Sequence, residues 1–234
     1  QNVLQQVSTC ITDKQLGALA TIVSGPGSGE KAIFYPDGSF IKSNISSDII
    51  TPIQSSIPGN WAVNDPISLA LQTSQGEVTV FIDFLLPPPR LVIVGAVHIA
   101  IPLVTLAKTL DYYTIVVDPR SAFSTRERFP DADELIREWP EEAFEKLQLD
   151  ASTCIVCLSH DEKIDLPALK AALYSPARYV GALGSKVTRA KRLEALREEG
   201  VDPGKLSLIR SPVGLKLGGK QPAEIALSIL AEIV

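Results

Sequence analysis

The stretch Arg90-Leu91-Val92-Ile93-Val94-Gly95-Ala96-Val97-His98-Ile99-Ala100 decides the fold of this chain. It runs from an unbroken apolar segment into a glycine and then into a helical pattern of apolar positions. Unbroken runs of this kind are typical of strands that are buried on both faces, and such strands belong to parallel sheets. The stretch therefore predicts the first strand, turn and helix of a dinucleotide-binding domain.

Residues 90–234 continue as alternating strand and helix patterns. Strands are predicted over Leu91–Val94, Tyr113–Val117, Thr153–Leu158 and Arg178–Ala182. Helices are predicted over Val97–Leu110, Glu141–Leu147, Leu166–Leu173, Lys186–Glu199 and Pro222–Val234. This alternation predicts an α/β fold, a Rossmann-like doubly wound parallel sheet with helices on both faces.

Residues 1–86 follow a different pattern, which predicts a small α+β domain. Its strongest local signal is Pro36-Asp37-Gly38, a hairpin turn between two short apolar segments. Residues 87–89 are three prolines, which have no backbone N–H donors, so no sheet can continue through them. We therefore predict an N-terminal domain over 1–86, a proline linker over 87–89 and a C-terminal domain over 90–234.

Composition excludes several classes of protein. The net charge of −5 and the pI near 5.2 argue against a nucleic-acid partner. The sequence has no apolar run long enough to suggest a membrane span, and its first residues lack the pattern of a signal peptide. Cys154 and Cys157 fall in one predicted strand on opposite faces, so they predict core residues rather than metal ligands. We expect a cytoplasmic protein, and we assign no residues of the sequence to a metal site.

The candidate binding residues follow the predicted strands. Ligands of doubly wound sheets bind beyond the carboxyl ends of the strands, where four loops of this chain meet. These loops hold Gly95, Ala96 and His98 after the first strand, Asp118 and Arg120 after the second, His160 and Asp161 after the third, and Gly181, Gly184, Ser185 and Lys186 after the fourth. Gly214 begins a further glycine-containing loop that could close over an anionic ligand.

The turn after the first strand departs from the dinucleotide fingerprint. Gly95 to Ala100 corresponds to G-x-G-x-x-G/A, with Val97 in place of the middle glycine. That glycine lets backbone amides approach a pyrophosphate, and the branched side chain of Val97 is expected to obstruct this approach. The departure disfavours NAD(P) as the ligand.

Asp118 and the two histidines each allow two interpretations. Asp118 lies 23 residues after Gly95, where an acidic residue binds the ribose of a dinucleotide, but it also suits a turn before Pro119. His160 and Asp161 could form a base with its orienting carboxylate, or a pair of metal ligands, and they are our candidates for catalysis. Alternatively, Asp161 or Asp165 caps the following helix. His98 shares the same edge of the sheet.

The predicted helix after Gly184 offers an anion site. Ser185 is a good N-cap, and Lys186 adds positive charge at the helix N-terminus. The more distal basic residues, among them Arg192, are expected to lie on a solvated helix face balanced by glutamates.

Several segments of the C-terminal half together resemble the XdhC/CoxI family, accessory factors of xanthine dehydrogenase and related molybdenum hydroxylases. The resemblance covers most of residues 90–234. Its segments are Val94–Ala100, Val117–Arg120, Phe123–Asp133, Ser159–Asp165, Tyr179–Ser185, Ser211–Leu215 and Pro222–Ile233. The N-terminal half is more divergent: where the family's smaller domain has a glycine-rich segment with a cysteine, Ser43–Asp48 has neither.

The resemblance implies a protein that binds molybdenum cofactor, assists its sulfuration or insertion, and delivers it to an apo-hydroxylase. It also implies a homodimer, and a binding and delivery protein rather than an enzyme with turnover. Two other functions stay open. One is an NAD(P)-dependent oxidoreductase, which Val97 disfavours, and the other is a degenerate paralogue that acts only as an interaction protein.

Overall fold

The computed structural model describes residues 2–13, 15–58, 61, 65–85 and 88–234. The chain divides into two compact units, Gln1–Pro87 and Pro88–Val234. Of the predicted proline linker, Pro87 lies outside the described residues, as does Leu86, the last residue of the predicted N-terminal domain. Pro88 and Pro89 begin the second unit.

The described residues of the first unit form an antiparallel sheet and two helices. Its strands have the order β3-β2-β1-β5-β4, and the hairpin around Pro36-Asp37-Gly38 joins β2 to β3. Apolar residues of the sheet pack against α2 on one face and against α1 on the other. The elements are α1 (Val3–Thr12), β1 (Gly17–Ser24), β2 (Lys31–Phe34), β3 (Phe40–Lys42), α2 (Ser47–Ser56), β4 (Ile67–Thr73) and β5 (Gly76–Leu85).

The second unit is a six-stranded parallel sheet with the strand order β11-β10-β9-β6-β7-β8. Its strands are β6 (Arg90–Val94), β7 (Tyr113–Val117), β8 (Glu134–Ile136), β9 (Thr153–Cys157), β10 (Tyr179–Ala182) and β11 (Ile209–Arg210). Its helices are α3 (Ala100–Thr109), α4 (Pro140–Leu147), α5 (Glu162–Leu173), α6 (Lys186–Glu198), α7 (Pro203–Leu206) and α8 (Pro222–Ile233). Numbered from β6, this is the strand order of a Rossmann fold, as predicted.

Alternating residues of each central strand face two separate cores. Leu91 and Ile93 of β6 pack against α3 and α8, whereas Val92 and Val94 pack against α4, α5, α6 and α7. All four side chains are fully buried. The apolar run Leu91–Val94 therefore lies in the middle of the sheet, because only a strand covered on both faces needs apolar residues at every position.

The cysteines of β9 follow the same alternation. Cys154 faces the core of α3 and α8, and Cys157 faces the other core. Both are buried free thiols, and burial raises the pKa of each. Their spacing is therefore that of two core residues on opposite faces of a strand, as expected.

Two helices begin three or more residues away from their predicted starts. Helix α3 begins at Ala100 rather than Val97, because residues 98–99 form a turn first. Helix α5 begins at Glu162 rather than Leu166, because the side chain of Asp161 caps it at that point. Strands β8 and β11 were not predicted, and neither was α7. The described helices include none with the length and apolar character that crossing a membrane requires.

Candidate functional site

The centre of the C-terminal edge lies between β6 and β9. These strands are neighbours, but the chain leaves β6 towards α3 on one face and leaves β9 towards α5 on the other. A crevice forms where successive connections diverge in this way, and it is the usual ligand site of a doubly wound sheet. The residues that follow β6, β7, β9 and β10 therefore meet at one candidate site.

Gly95 closes the floor of this crevice. Its φ of +102° favours glycine, and a Cβ at this position would lie 2.7 Å from both the backbone N and Cα of Ser159. The loop after β9 therefore packs directly on Gly95. Close packing of two protein segments, rather than the approach of a phosphate, explains the glycine at this position.

The start of α3 leaves donors open at the crevice. The amides of Val97, His98 and Ile99 have no acceptor in the described part of the chain, and Ile99 provides no side-chain cap. The His98 side chain is exposed, whereas the Val97 side chain is half-buried and packs against the core. The obstruction of these amides that was expected from Val97 is therefore not observed. Unbonded amides and the positive end of the helix dipole favour an anion here.

Asp118 is completely buried, and each oxygen of its carboxylate accepts two hydrogen bonds. Its Oδ2 accepts hydrogen bonds from the Ala96 amide at 2.7 Å and from Arg120 Nη2 at 2.8 Å. Its Oδ1 accepts from the Arg120 amide and from Arg120 Nε, both at 2.9 Å. Of the two interpretations that the sequence left open, the turn-forming one matches this geometry, because no oxygen of Asp118 remains free for a ribose hydroxyl.

Asp118 and Arg120 each stabilise the charged form of the other. Burial opposes ionisation of Asp118, but the hydrogen bonds from Arg120 and Ala96 outweigh it and lower the pKa of the carboxyl group. The hydrogen bond to Asp118 raises the pKa of Arg120, and the charges of Asp161 and Asp165 add to this effect. A third of the Arg120 side chain is exposed, so its outer surface can still contact a ligand.

His160 and Asp161 follow β9 but do not form a dyad. His160 is exposed with a positive φ of +60°, and no hydrogen bond joins it to Asp161 among the described residues. The Asp161 side chain instead accepts from the Lys163 amide at 3.0 Å and caps α5. The capping role that the sequence allowed for Asp161 is therefore present.

A buried polar network lies beside these residues. Ser159 Oγ donates to Asp165 Oδ1 at 2.6 Å, and Arg192 Nη2 donates to Asp165 Oδ2 at 3.1 Å. Arg192 Nη1 also donates to the Leu183 carbonyl oxygen at 3.1 Å. The network therefore ties α5, α6 and the loops after β9 and β10 together. Burial raises the pKa of Asp165, and the Ser159 hydrogen bond and the Arg192 charge offset only part of this shift.

The prediction that Arg192 lies on a solvated helix face was wrong. Its side chain is 7% exposed and paired with Asp165, 27 residues earlier in the chain. A signal was present in the sequence: Leu193 and Leu196 define the apolar face of α6, and Arg192 lies on the same side. Its partner could not be identified without knowing the topology.

The start of α6 matches the predicted capping pattern. Ser185 Oγ accepts from the Thr188 amide at 3.1 Å, and the Lys186 side chain is exposed without an ion pair in the described part of the chain. Gly184 has a positive φ of +151°, and Thr188 packs against it. This helix end therefore presents a cation at the same edge as α3.

Gly181 and Gly214 are packed inside the protein. A Cβ on Gly181 would lie 2.7 Å from Val213, and one on Gly214 would lie 2.4 Å from Ser228 Oγ. The Gly214 amide donates to Glu232 at 2.8 Å, and Glu232 also accepts from the Tyr179 hydroxyl at 2.6 Å. Close packing alone accounts for both glycines.

Two orphaned polar atoms belong to this edge. Arg189 Nε, on the first turn of α6, and Ser211 Oγ, directly after β11, are buried without a hydrogen-bond partner among the described residues. Buried polar atoms of proteins normally have a hydrogen-bond partner, which a bound group or a water molecule can supply. The described residues contain no group of three or more His, Cys, Asp or Glu that could hold a metal ion.

Comparison with known proteins gives two relatives with informative names. Over 154 residues the chain is 37% identical to a probable xanthine dehydrogenase subunit from Bacillus subtilis, and the match covers 66% of this chain and 44% of that protein. Over 86 residues it is 40% identical to the molybdenum cofactor insertion chaperone PaoD of Escherichia coli, and the match covers 37% of this chain and 27% of that protein. The matched regions span less than half the length of either relative.

A solved structure and a family model agree on the fold. A crystal structure described as a xanthine dehydrogenase from Bacillus halodurans aligns with the whole chain and with 95% of its own chain, with a TM-score of 0.56 and 21% identity. The family model described as the XdhC Rossmann domain matches residues 91–233, more than half of the sequence. The chain therefore belongs to the XdhC family, and the sheet from β6 to β11 is its Rossmann domain.

Proposed function

We propose that this chain is a maturation factor for a molybdenum hydroxylase. In this role it binds molybdenum cofactor at the C-terminal edge of the Rossmann domain and assists its sulfuration or insertion into the apo-enzyme. The names of the two relatives support the role, since one is an insertion chaperone for this cofactor and the other belongs to a probable xanthine dehydrogenase. We extend the proposal to a homodimer acting in the cytoplasm, which the family resemblance implies.

The observation that carries the proposal is the contrast between two neighbouring groups. The α3 amides are open to an anion, whereas Asp118, the usual ribose acceptor, is saturated by Arg120 and Ala96. The site therefore suits a phosphorylated ligand that does not need a ribose acceptor. Molybdenum cofactor, a pterin that carries a phosphate, fits this description.

The residues that fit the cofactor belong to several loops of this edge. The amides of Val97, His98 and Ile99 and the side chain of Lys186 would hold its anionic part, and Arg120 would contact its outer edge. His160 is exposed at the same edge and would face the ligand. When bound, the cofactor supplies molybdenum redox chemistry to the client enzyme, and this chain binds, orients and shields it.

Anaerobic equilibrium titration tests the proposal. Purified protein is titrated with molybdenum cofactor released from a molybdenum hydroxylase, and with NAD⁺ and NADP⁺ in parallel. We expect saturable binding of the cofactor and none of either dinucleotide. Tight binding of NADP⁺ with hydride transfer would overturn the proposal in favour of an oxidoreductase. If no ligand binds while a molybdenum hydroxylase co-purifies, the chain is an interaction protein.

A further inference from the structure

An exposed aromatic ring flanked by two guanidinium groups follows β7. The Phe123 side chain is 45% exposed. Arg120 Cζ lies 4.8 Å from the centre of its ring, and Arg128 Cζ lies 5.8 Å away. We refer to Arg120, Phe123 and Arg128 as the Phe123 platform.

The platform is fixed by its own hydrogen bonds. The Phe123 amide donates to the Arg120 carbonyl oxygen at 2.9 Å, and Arg128 Nη1 donates to the Phe123 carbonyl oxygen at 2.7 Å. Arg120 is held in turn by both oxygens of Asp118. Because these groups are already ordered, a ligand that contacts them loses little additional side-chain entropy.

Contacts connect the platform to the candidate site. Ala96, in the turn after β6, donates to Asp118; Asp118 binds Arg120; and the Arg120 guanidinium lies over Phe123. The ring therefore belongs to the same edge of the sheet as the open amides of α3. A ligand whose phosphate binds at α3 can extend towards this ring.

The charges of the two arginines differ. Arg120 is neutralised by Asp118, whereas the Arg128 guanidinium bonds to a carbonyl oxygen and has no ion pair in the described part of the chain. Aromatic rings and guanidinium planes both stack on planar heterocycles, and a cation beside them favours an anionic ligand. These are the properties of a surface that recognises a flat, negatively charged ring system.

We propose that Phe123 and Arg120 form the surface on which the planar heterocycle of the bound ligand stacks, with Arg128 holding Phe123 in place and adding positive charge. This inference rests on the proposed function, since it assigns the pterin ring of the cofactor to the platform. It makes Phe123 a specificity residue for flat ligands, and it does not depend on any catalytic role of this chain.

The test compares two substitutions of Phe123 with the wild type. Phe123→Leu keeps the apolar bulk but removes the aromatic face, and Phe123→Tyr keeps the face. Phe81→Leu is a matched control, because it makes the same change at a phenylalanine that is 39% exposed but belongs to the N-terminal unit. Each protein is titrated anaerobically with molybdenum cofactor, and its folding is checked by circular dichroism.

We expect Phe123→Leu to bind the cofactor roughly tenfold more weakly, as for loss of one stacking partner. Phe123→Tyr and Phe81→Leu should bind like the wild type. Equal binding by the wild type and Phe123→Leu would overturn the stacking role of the platform. Equal weakening of binding in Phe123→Leu and Phe123→Tyr would also overturn it. Either result would leave the proposed function intact. If the wild type itself binds no cofactor, the proposed function and the platform both fail.

Discussion

Arg120 occupies both oxygens of the Asp118 carboxylate, with Nε 2.9 Å from Oδ1 and Nη2 2.8 Å from Oδ2. Asp118 ends the second strand of a Rossmann sheet, where an acidic residue commonly binds a ribose. In this chain its hydrogen bonds instead hold the turn after β6 to the turn after β7. The fold of a dinucleotide domain is thus kept while one of its recognition groups is used internally.

Asp118→Asn should destabilise the Rossmann unit. The substitution weakens the charge-assisted hydrogen bonds to a fully buried carboxylate, and we expect a loss of about 2 kcal/mol in the free energy of unfolding. Urea denaturation at pH 7 measures it, with Asp65→Asn, an exposed aspartate of the other unit, as the control. An unfolding free energy equal to that of the wild type would contradict the role assigned to Asp118.

The Asp118–Arg120 pair predicts that the stability of the protein depends on pH. The pKa of Asp118 is lower in the folded protein than in the unfolded chain. The ionised carboxylate therefore makes its full contribution to the free energy of unfolding above the unfolded pKa of about 3.9. This contribution to stability is lost as the pH falls through the pKa that Asp118 has in the folded protein. The difference in stability between wild type and Asp118→Asn should therefore be constant from pH 7 to pH 5 and shrink below about pH 4.

Arg192→Met should be costly because it leaves the Asp165 carboxylate buried without its partner. We expect a loss of about 3–5 kcal/mol in the free energy of unfolding, and partial recovery in the double variant Asp165→Leu/Arg192→Met. Burial already raises the pKa of Asp165, so the folded state takes up a proton more readily than the unfolded chain. Arg192→Met should therefore lose less stability at pH 5 than at pH 7.

Gly95→Ala tests the contact between the turn after β6 and the loop after β9. Both Gly95 and Gly200 have a positive φ, but a Cβ on Gly200 meets nothing within 4 Å. Gly200→Ala therefore measures the backbone strain alone. We expect Gly95→Ala to be about 2 kcal/mol more destabilising than this control, because the added methyl group overlaps the Ser159 backbone. Equal losses would mean that the loop after β9 moves aside freely.

Lys186→Glu tests the anion site at the start of α6. Reversing this charge beside the helix N-terminus should weaken cofactor binding about three- to tenfold, since each such interaction contributes up to about 1 kcal/mol. Lys191→Glu makes the same change on an exposed residue farther along the helix and should bind like the wild type. Titration with both variants separates a local effect from a change in net charge.

The sequence was most informative where apolar residues repeat. The run Leu91–Val94 predicted a strand in the middle of a parallel sheet, since a strand covered on both faces has no polar positions. Strands β8 and β11 escaped prediction because they have three and two residues, too few for any periodicity. They form by pairing with β7 and β10 at the two ends of the sheet.

The candidate site was predictable as a location but not as a set of contacts. The rule that ligands bind beyond the carboxyl ends of the strands brought Gly95, Asp118, His160 and Ser185 to one edge. Sequence spacing could not decide whether Asp118 receives a ligand or a side chain, because both interpretations place an aspartate at the end of a strand. The Asp165–Arg192 pair joins residues on different helices, so it requires the topology first.

Hydrogen–deuterium exchange with and without molybdenum cofactor tests the central claim most directly, since it reports where a ligand binds. The open amides at the start of α3 should exchange rapidly in the free protein and become protected when the cofactor is added. We predict protection in residues 96–101, 120–123 and 184–189, and unchanged exchange in β1 to β5. Protection confined to the N-terminal unit, or no change at the start of α3 despite saturating cofactor, would contradict the account.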